Sequence, residues 1–399
     1  MKFFKSSGIK IQWWCLIFLF KVEVGIFYAY IHSLSYNGAD TIFGFNQGVR
    51  IYHLIQSQGF STYFKLVCLP CHYPSYSGIE RWTHNSIPYG DESYYLIIRF
   101  HALSALISGC YYNVHVVFFN ILSFAGCAFI YAAFKDELKE KRNLLIVALI
   151  LIPSVVFWTS GIHKDGLSLL AIGMLFYSLK ERNKISIQRI IIGTLGIMLL
   201  YIVRSYALVI LIPLLSVYFI FKGKEKRLWL YYSITFFGFL LFVFLISSVI
   251  GGTSPLDKVL WWKNTFRTLS TSENSVALPD ANADIFSFLQ LIPYALLHSF
   301  LQPFLWDTKN IYQLIVGIQD WALLVLIVCL IINSLIKKKP FTHLFYLSIG
   351  YTTSIYLLLG MIVPNLGALS RYKSTGTLFL CISIISLLPK AFMKRSSKH

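Results

Sequence analysis

The feature that most constrains this chain is a series of about ten apolar runs, separated by short hydrophilic gaps that alternate in charge. Six gaps are basic, and these are residues 1–12, 135–142, 180–189, 222–227, 337–339 and 390–399. They hold 22 of the 35 Lys and Arg residues but only 5 of the 17 Asp and Glu residues. Cytoplasmic loops of membrane proteins carry the Lys and Arg excess. The pattern therefore predicts a multi-pass membrane protein whose basic gaps face the cytoplasm.

The overall composition supports a membrane protein and argues against a nucleic-acid partner. Hydrophobic residues make up 56% of the chain and charged residues 13%, about half the usual charged fraction. Outside the basic gaps, and apart from Lys21 and Glu23 in the first apolar run, the chain has 12 basic and 11 acidic residues. The net charge of +18 therefore reflects topology, and it does not indicate a surface for binding DNA or RNA.

A spanning helix needs about 20 apolar residues, and this rule predicts an all-α, polytopic bundle of about ten transmembrane helices in a single membrane domain. An even number of crossings places both termini in the cytoplasm of a bacterial inner membrane. Two further apolar runs, 93–108 and 286–305, are predicted to be interface or re-entrant helices, because full spans there would put basic gaps on the wrong side. The predicted spans are 13–33, 111–134, 143–159, 166–179, 190–203, 206–221, 229–250, 313–336, 343–363 and 376–392.

Two of these spans are unusually informative because only Arg204 and Ser205 separate them. Basic gaps flank the pair on both sides, so the chain has to cross twice between residues 190 and 221. As one helix these 32 residues would be roughly 48 Å long, against a hydrocarbon core of about 30 Å. We therefore expect a turn at Arg204, recessed at the outer face, where a cation is a candidate functional residue.

The two predicted outer loops are residues 34–110 and 251–312, and the first contains the acidic candidates. Asp40 follows the first span in the stretch GADT, where a carboxylate could act as a general base on a hydroxyl acceptor or could cap a helix that begins at Thr41. Asp91 and Glu92 precede the run 93–108. Their charge suits the start of a helix, and they could also add a second acidic group to the site.

Several cations lie at predicted outer turns, on the side where positive charge is disfavoured. They could contact lipid headgroups, or they could together form a cradle for a phosphate or pyrophosphate, in which Arg supplies fork-like hydrogen bonds and Lys a point charge. Aromatic residues beside them could stack on sugar rings or form the interfacial belt. The candidates are His163, Lys164 and Asp165 after Trp158, then Arg204, and then Arg371, Tyr372 and Lys373, with Trp261 and Trp262 in the second outer loop.

The sequence CLPCH at 68–72 matches the pattern for covalent haem attachment through Cys68 and Cys71, with His72 as axial ligand. A disulfide or a free thiol pair in an oxidising compartment is the competing reading, and we favour it over haem. No zinc-ligand spacing, P-loop or dinucleotide-binding glycine pattern is present. No cofactor is therefore predicted, although a divalent metal is compatible with the sequence.

Lys21 lies near the middle of the first span, two residues from Glu23. Residues at positions i and i+2 of a helix point apart, so these two side chains should not pair with each other. Each needs a partner on another helix or a route to the interface. Lys21 could belong to a proton path in a transporter or to a structural bond between helices, and we favour the structural bond.

This layout resembles the GT-C class of membrane glycosyltransferases, which includes protein mannosyltransferases and lipid A aminoarabinose transferases. The resemblance implies a polyprenyl-phosphate sugar donor and a base in the first outer loop, a position that Asp40 matches. The chain lacks a paired DD or DE directly after the first span. The segments PSVVFWTSGIHKDG, VRSYALVILIP, LQPFLWDTKN and NLGALSRYK also resemble multi-pass proteins of bacterial polysaccharide loci.

The expected function is therefore glycosyl transfer at the outer face of the membrane, from a polyprenyl-linked sugar to a glycan acceptor. In this hypothesis Asp40 orients or deprotonates the acceptor, and Arg204, Arg371 and Lys373 stabilise the departing phosphate, with His163 and Lys164 completing the cradle. An O-antigen or polysaccharide polymerase or ligase is one alternative, since such proteins use outer-loop Arg and His residues. A flippase or transporter of lipid-linked glycans, and a haem-bearing redox protein, are others.

Overall fold

The structure is a computed structural model that describes residues 9–35, 40–68, 92–180, 186–221, 227–249, 253–270 and 274–389. The fold-class prediction of an all-α protein is confirmed, since the described residues form helices and no named strand. The chain divides into two compact units. Unit 1 comprises residues 1–133 and 156–205, and unit 2 comprises residues 134–155 and 206–399.

Six helical segments in the described residues are long and apolar enough to cross a membrane, so the multi-pass prediction holds in this coarser form. They are Ile11–Ser33, Tyr112–Ile150, Ile187–Ile220, Leu228–Ser247, Ile311–Ile336 and His343–Ile362. The predicted count of ten is not confirmed. Three predicted spans, 143–159, 166–179 and 376–392, correspond to helices of 16 residues or fewer.

We number the α-helices in chain order, and a single 3₁₀ turn, Lys139–Lys141, follows α4. They are α1 Ile11–Ser35, α2 Asp40–Cys68, α3 Glu92–Ser108, α4 Tyr112–Leu138, α5 Arg142–Ile150, α6 Pro153–Ser160, α7 Lys164–Leu179, α8 Ile187–Ile220, α9 Leu228–Val249, α10 Pro255–Leu269, α11 Ile285–Leu301, α12 Ile311–Ile336, α13 His343–Ile362, α14 Leu366–Tyr372 and α15 Ser374–Leu387.

Unit 1 contains a helix pair within the first predicted outer loop. α2 is 29 residues long and packs along α3, burying Ile51, Tyr63 and Leu66 of α2 against Ile98 and Ala102 of α3. The hydroxyl of Tyr63 donates to the carbonyl of Ala102 at 3.2 Å. The run 93–108 is thus helical as expected, and α2 is an additional helix that the sequence analysis did not predict beyond its start.

The remaining helices of unit 1 approach one another closely at glycines. A Cβ atom on Gly126 of α4 would lie 2.7 Å from the Leu170 nitrogen of α7, and one on Gly173 of α7 would lie 2.7 Å from the Gly126 carbonyl oxygen. Small residues let membrane helices approach to this distance, where dispersion contacts rather than a hydrophobic gradient hold them together. Gly25 brings α1 equally close to the end of α6, since its Cβ would lie 2.6 Å from the Ser160 carbonyl oxygen.

Unit 2 is built around α13, which packs against both α11 and α15, while α12 packs against α15. A Cβ on Gly360 of α13 would lie 2.1 Å from the carbonyl oxygen of Ala295 on α11. Capping residues fix where three of the helices begin, because Ser254, Asn310 and Thr342 accept hydrogen bonds from backbone amides in the first turns of α10, α12 and α13.

The predicted interruption at Arg204 is observed, although in a form that differs from a separate two-residue turn. Residues 187–220 form one kinked helix, α8, in which Arg204 alone leaves the helical conformation, with φ −152° and ψ 71°. Pro213 lies further along the same helix. The break coincides with the boundary between the two units, which falls after Ser205.

Candidate functional site

The turn between α6 and α7 gathers most of the unit 1 residues that the sequence analysis selected. Gly161 allows this turn to approach α1, because a Cβ there would lie 2.6 Å from the ring of Tyr28. His163 and Trp158 both contact the Tyr28 ring edge-on, with ring centroids 5.4 and 5.7 Å apart. Trp158 and His163 are therefore buried packing partners of α1. Lys164, the first residue of α7, is half-buried.

Asp165, in the first turn of α7, forms an ion pair with Arg204 at the kink of α8. Both side chains are buried, at 4% exposure for Arg204 and 1% for Asp165, and a guanidinium nitrogen donates to Asp165 Oδ1. A buried charge is tolerated when it is paired and hydrogen-bonded. The non-helical backbone at Arg204 thus accompanies an internal salt bridge, and the prediction that Arg204 is recessed is consistent with its burial.

Lys21 is fully buried in α1 and its ammonium donates to the hydroxyls of Thr159 at 3.0 Å and Ser160 at 3.1 Å, both at the end of α6. Asn120 of α4 donates to the carbonyl of Ser160 at 2.9 Å, so three helices meet at this position. Glu23 is exposed. The expectation that Lys21 bonds to another helix, and not to Glu23, is confirmed.

Lys373 in unit 2 is buried, at 1% exposure, between α14 and α15. Its ammonium lies 2.6 Å from Asp320 Oδ2 of α12 and donates to the carbonyl of Ser299 at 2.9 Å. The ammonium also lies 5.4 Å from the centroid of the Tyr356 ring, a cation–π contact. Lys373 therefore joins α11, α12 and α13 through one charged atom.

Asp320 was not singled out in the sequence, although an acid inside an apolar run such as 313–336 is by itself a signal of a functional or structural site. Its neighbour Gln319 donates to Asp320 Oδ1 at 3.0 Å and to the hydroxyl of Ser154 at 2.8 Å. The Ser154 backbone N–H in turn donates to Gln319 Oε1 at 2.9 Å. A continuous polar chain thus runs from the start of α6 to Lys373 within unit 2.

Arg371 differs from Arg204 and Lys373 because it is only half-buried. Its guanidinium carbon lies 4.8 Å from the centroid of the Tyr372 ring, and a guanidinium nitrogen donates to the Tyr372 hydroxyl at 2.9 Å. The Tyr372 ring also contacts Phe266 of α10 at 5.7 Å between centroids. The Arg371–Tyr372 pair therefore lies beside α10, which also presents Trp261 and Trp262 at 45% and 46% exposure.

A short bridge holds the start of α14 in place. Ser275 and Asn365 form an isolated antiparallel bridge, in which the Val276 amide donates to the Pro364 carbonyl at 3.0 Å and the Leu366 amide donates to the Asn274 carbonyl at 3.2 Å. Asn365 also caps α14 through its side chain. The second predicted outer loop is thus attached to the turn that carries Arg371.

A cluster that the sequence analysis missed lies between α3 and α4 of unit 1. His101 and His115 are both fully buried, and their Nδ1 atoms are 2.8 Å apart. His115 Nε2 lies 2.6 Å from the hydroxyl oxygen of Ser108. Burial lowers the pKa of His101 well below its usual range, so this imidazole is neutral at physiological pH. Two histidines in the adjoining apolar runs 93–108 and 111–134 were the available signal.

The remaining predicted residues fall at or beyond the edge of the described structure. Asp40 and Glu92 are the first residues of α2 and α3, and Asp91 lies outside the described residues. Cys68 ends α2 as an exposed thiol, while Cys71 and His72 also lie outside. The haem and disulfide readings therefore stay predictions. Within the described ranges no group of three or more His, Cys, Asp or Glu side chains is placed to hold a metal ion.

The structure thus brings Asp165 together with Arg204, Arg371 together with Tyr372, and Lys373 together with Asp320. Comparison with known proteins adds no further guide to these sites. No protein-family model, no curated protein and no solved structure matches the chain.

Proposed function

We propose that this protein is a membrane glycosyltransferase that acts at the outer face of a bacterial cytoplasmic membrane on a polyprenyl-(pyro)phosphate-linked sugar. The observation that carries the proposal is the half-buried Arg371 guanidinium against the ring of Tyr372. A guanidinium presents a rigid fork of N–H donors that matches phosphate oxygens. An adjoining aromatic ring offers a flat apolar face to a sugar. The pair thus combines the two chemistries that a lipid-linked sugar phosphate requires.

Burial decides which of the predicted cradle residues contacts the donor in this proposal. Arg204 and Lys373 are 4% and 1% exposed and each lies against a buried carboxylate. Each of these pairs is already neutral, so moving its cation to a phosphate would leave a carboxylate buried without compensation. We therefore assign the two buried cations to positioning their turns, and Arg371 to direct contact with the phosphate.

The neighbouring helix α10 supports a membrane-borne donor. α10 presents the exposed side chains of Trp261 and Trp262 beside the Arg371–Tyr372 pair. Tryptophan is enriched where a membrane meets water, because one end of the ring system is polar and the other apolar. A helix of this kind next to Arg371 would receive a phosphate at the headgroup level while the polyprenyl chain stays in the bilayer.

Asp40 is the proposed base for the acceptor, a role that follows from its position after α1 and from the resemblance to GT-C enzymes. The acceptor hydroxyl oxygen attacks the anomeric carbon of the donor sugar and transfers its proton to the carboxylate of Asp40. The bond from the anomeric carbon to the phosphate oxygen breaks, and the phosphate departs with the electron pair.

Two alternatives keep the same lipid-linked substrate class. A polysaccharide polymerase or ligase would use Arg371 in the same way and would differ in its acceptor. A flippase of lipid-linked glycans is favoured by Lys21, a buried cation in an apolar helix that bonds to two hydroxyls. The reaction product distinguishes a flippase from the enzymes, since a flippase moves the lipid-linked sugar across the bilayer without forming a glycosidic bond.

The test is binding and transfer with Arg371→Gln protein in lipid nanodiscs. We expect binding of a polyprenyl phosphate to weaken at least tenfold, since a charge-assisted phosphate contact contributes about 1.5–3 kcal/mol. Transfer from a polyprenyl-phosphate sugar pool should fall further. Arg267→Gln is the matched control, because Arg267 is an exposed arginine of α10 whose partner Asp280 is also exposed.

An equal loss of polyprenyl-phosphate binding in the Arg267 and Arg371 variants would indicate nonspecific attraction of the anionic lipid. That result would contradict the proposed site. Unchanged binding in Arg371→Gln, in protein that unfolds at the same temperature as the wild type, would contradict it as well. Movement of the labelled donor between leaflets without a new glycosidic bond would replace the transferase by the flippase.

A further inference from the structure

Ser108, His115 and His101 form a hydrogen-bonded series across the junction between α3 and α4. The distances are 2.6 Å from Ser108 Oγ to His115 Nε2 and 2.8 Å between the two Nδ1 atoms. All three side chains are buried. A hydroxyl bonded to an imidazole, which is itself oriented by a third group, is the arrangement that activates a serine nucleophile.

The hydrogen bonds of Ser108 favour one arrangement of the protons, in which the Ser108 hydroxyl is the donor to His115. The Cys110 amide donates to Ser108 Oγ at 3.2 Å, so this oxygen already accepts one bond. The acceptor that the described structure offers to the Ser108 hydroxyl proton is His115 Nε2. His115 must then carry its own proton on Nδ1 and donate it to His101 Nδ1. In this tautomer His115 is the base of Ser108, and His101 holds His115 in the required orientation.

The same tautomer leaves the Nε2–H of His101 as a buried donor without an acceptor in the described part of the chain. A purely structural network would be expected to satisfy its buried groups. Gly44 of α2 lies next to this ring, since a Cβ atom there would be 3.8 Å from His101 Cδ2. An unsatisfied buried donor calls for an explanation beyond packing.

The turn that follows Ser108 adds a second departure from ordinary structure. Gly109 and Cys110 both have positive φ, 60° and 64°, and such a conformation is uncommon for a residue other than glycine. Strained backbone of this type persists where surrounding contacts impose it and is concentrated at functional sites. Gly109 and Tyr111 are exposed, so the turn that carries the Ser108 hydroxyl is at the protein surface.

We propose that Ser108 is a nucleophile for acyl transfer from a carboxylic ester, with His115 as general base and His101 as a positioning residue. Ser108 Oγ attacks the ester carbonyl carbon and its proton passes to His115 Nε2. The tetrahedral adduct collapses, and the departing alkoxide takes that proton and leaves as the alcohol. Water or an acceptor hydroxyl then attacks the acyl-serine and gives its proton to His115, from which the Ser108 oxygen recovers it.

The surroundings of Ser108 indicate an acyl group carried by a lipid. Ile107 is 80% exposed, Tyr111 is 72% exposed and Leu103 is 49% exposed, and these residues border the same helix junction. Exposed apolar side chains grouped beside an apolar helix mark a surface that suits contact with lipid. An ester with an apolar acyl chain can reach the Ser108 turn from the bilayer. This activity is independent of the proposed glycosyl transfer.

The test uses active-site serine reagents on the full-length protein in nanodiscs, with the modified residue identified by mass spectrometry. An alkyl fluorophosphonate and the smaller phenylmethylsulfonyl fluoride should both modify Ser108, and Ser108→Ala should abolish that modification. His115→Gln should slow it by about 10²-fold or more, the usual contribution of a general base. His101→Leu should slow it by a similar factor, whereas His101→Asn, whose amide oxygen can accept from His115 Nδ1, should restore most of the rate.

Ser104→Ala is the matched control, because Ser104 is also buried and lies one turn earlier on α3. In the Ser104→Ala variant, the reagents should modify Ser108 at the wild-type rate. Absence of Ser108 modification by both reagents in folded wild-type protein would overturn the proposal. So would an unchanged rate in His115→Gln, or equal rates in His101→Leu and His101→Asn, since each would show that the network only supports packing.

Discussion

At the scale of single residues, the buried cations Arg204 and Lys373 are each paired with a buried carboxylate from another helix. Removing one partner of such a pair costs more stability than removing both, because the remaining charge is left buried without compensation.

The Arg204–Asp165 pair provides a direct test of a structural role. Arg204→Ala should destabilise the protein by roughly 3–5 kcal/mol, because it leaves the Asp165 carboxylate buried and uncompensated. The double variant Arg204→Met with Asp165→Leu removes both charges and should recover most of that loss. Thermal unfolding in detergent, followed for Arg204→Met, Asp165→Leu and the double variant, measures the coupling between the two residues.

If Arg204 instead served a phosphate and had no structural task, the single variant would unfold at the wild-type temperature. Conversely, a double variant no more stable than Arg204→Ala would show that the pair is not coupled. Lys373→Met with Asp320→Leu gives a parallel measurement in unit 2, where the same arguments about burial apply.

The sequence reveals the cations of these pairs but not their partners. Arg204 and Lys373 could be selected because basic residues are disfavoured at outer turns. Asp165 and Asp320 could not be assigned to them, because they are 39 and 53 positions away along the chain. A charge can be recognised from the local sequence, whereas its pairing depends on which helices become neighbours.

At the scale of helices, apolar runs were located well and polar helices poorly. The starts of α1, α4, α12 and α13 fall within two residues of the predicted spans, because long apolar runs have few alternatives. α2 was missed, since its 29 residues include Gln47, Arg50 and His53 and lack a continuous apolar stretch. Its existence depends on packing against α3, which is a tertiary effect. An interruption at Arg204 was predicted from the flanking basic gaps and the length of the run, although the structure has a kink within one helix there.

Close approach between α11 and α13 predicts a strong effect of a single methyl group. Gly360→Ala should destabilise unit 2 markedly, because the new Cβ would lie 2.1 Å from the backbone oxygen of Ala295, which cannot rotate away. Gly238→Ala is the matched control on α9, where nothing lies within 4 Å. There the substitution should be neutral or stabilising by up to about 1 kcal/mol, the difference in helix propensity.

Resistance to heat-induced aggregation of detergent-purified protein would measure both variants under the same conditions. A Gly360→Ala protein as stable as the Gly238→Ala protein would show that α11 and α13 are not in contact at this position.

At the scale of the whole molecule, the alternation of charge remains the argument on which the proposed function depends. The helices establish that several segments can cross a membrane, while the side on which each loop lies follows only from the Lys and Arg excess. The prediction of ten crossings relied on residue counts in short apolar runs. It could not be confirmed because runs such as 143–159 divide into two short helices, α5 and α6, at residues 151 and 152. Helix breaks of this kind depend on neighbouring helices as well as on local sequence.

Cysteine accessibility in intact cells can decide the orientation. In a background in which all seven cysteines are replaced, Lys258→Cys and Lys337→Cys place exposed thiols in the second predicted outer loop and in a basic gap, respectively. A membrane-impermeant maleimide should label residue 258 in cells whose outer barrier is permeabilised, and residue 337 only after the cytoplasmic membrane is broken. Both substitutions remove one surface lysine, so each controls for the charge change in the other. Labelling of residue 337 alone in intact cells would place Arg371 and α10 in the cytoplasm, where a polyprenyl-linked donor awaiting transfer at the outer face could not reach them.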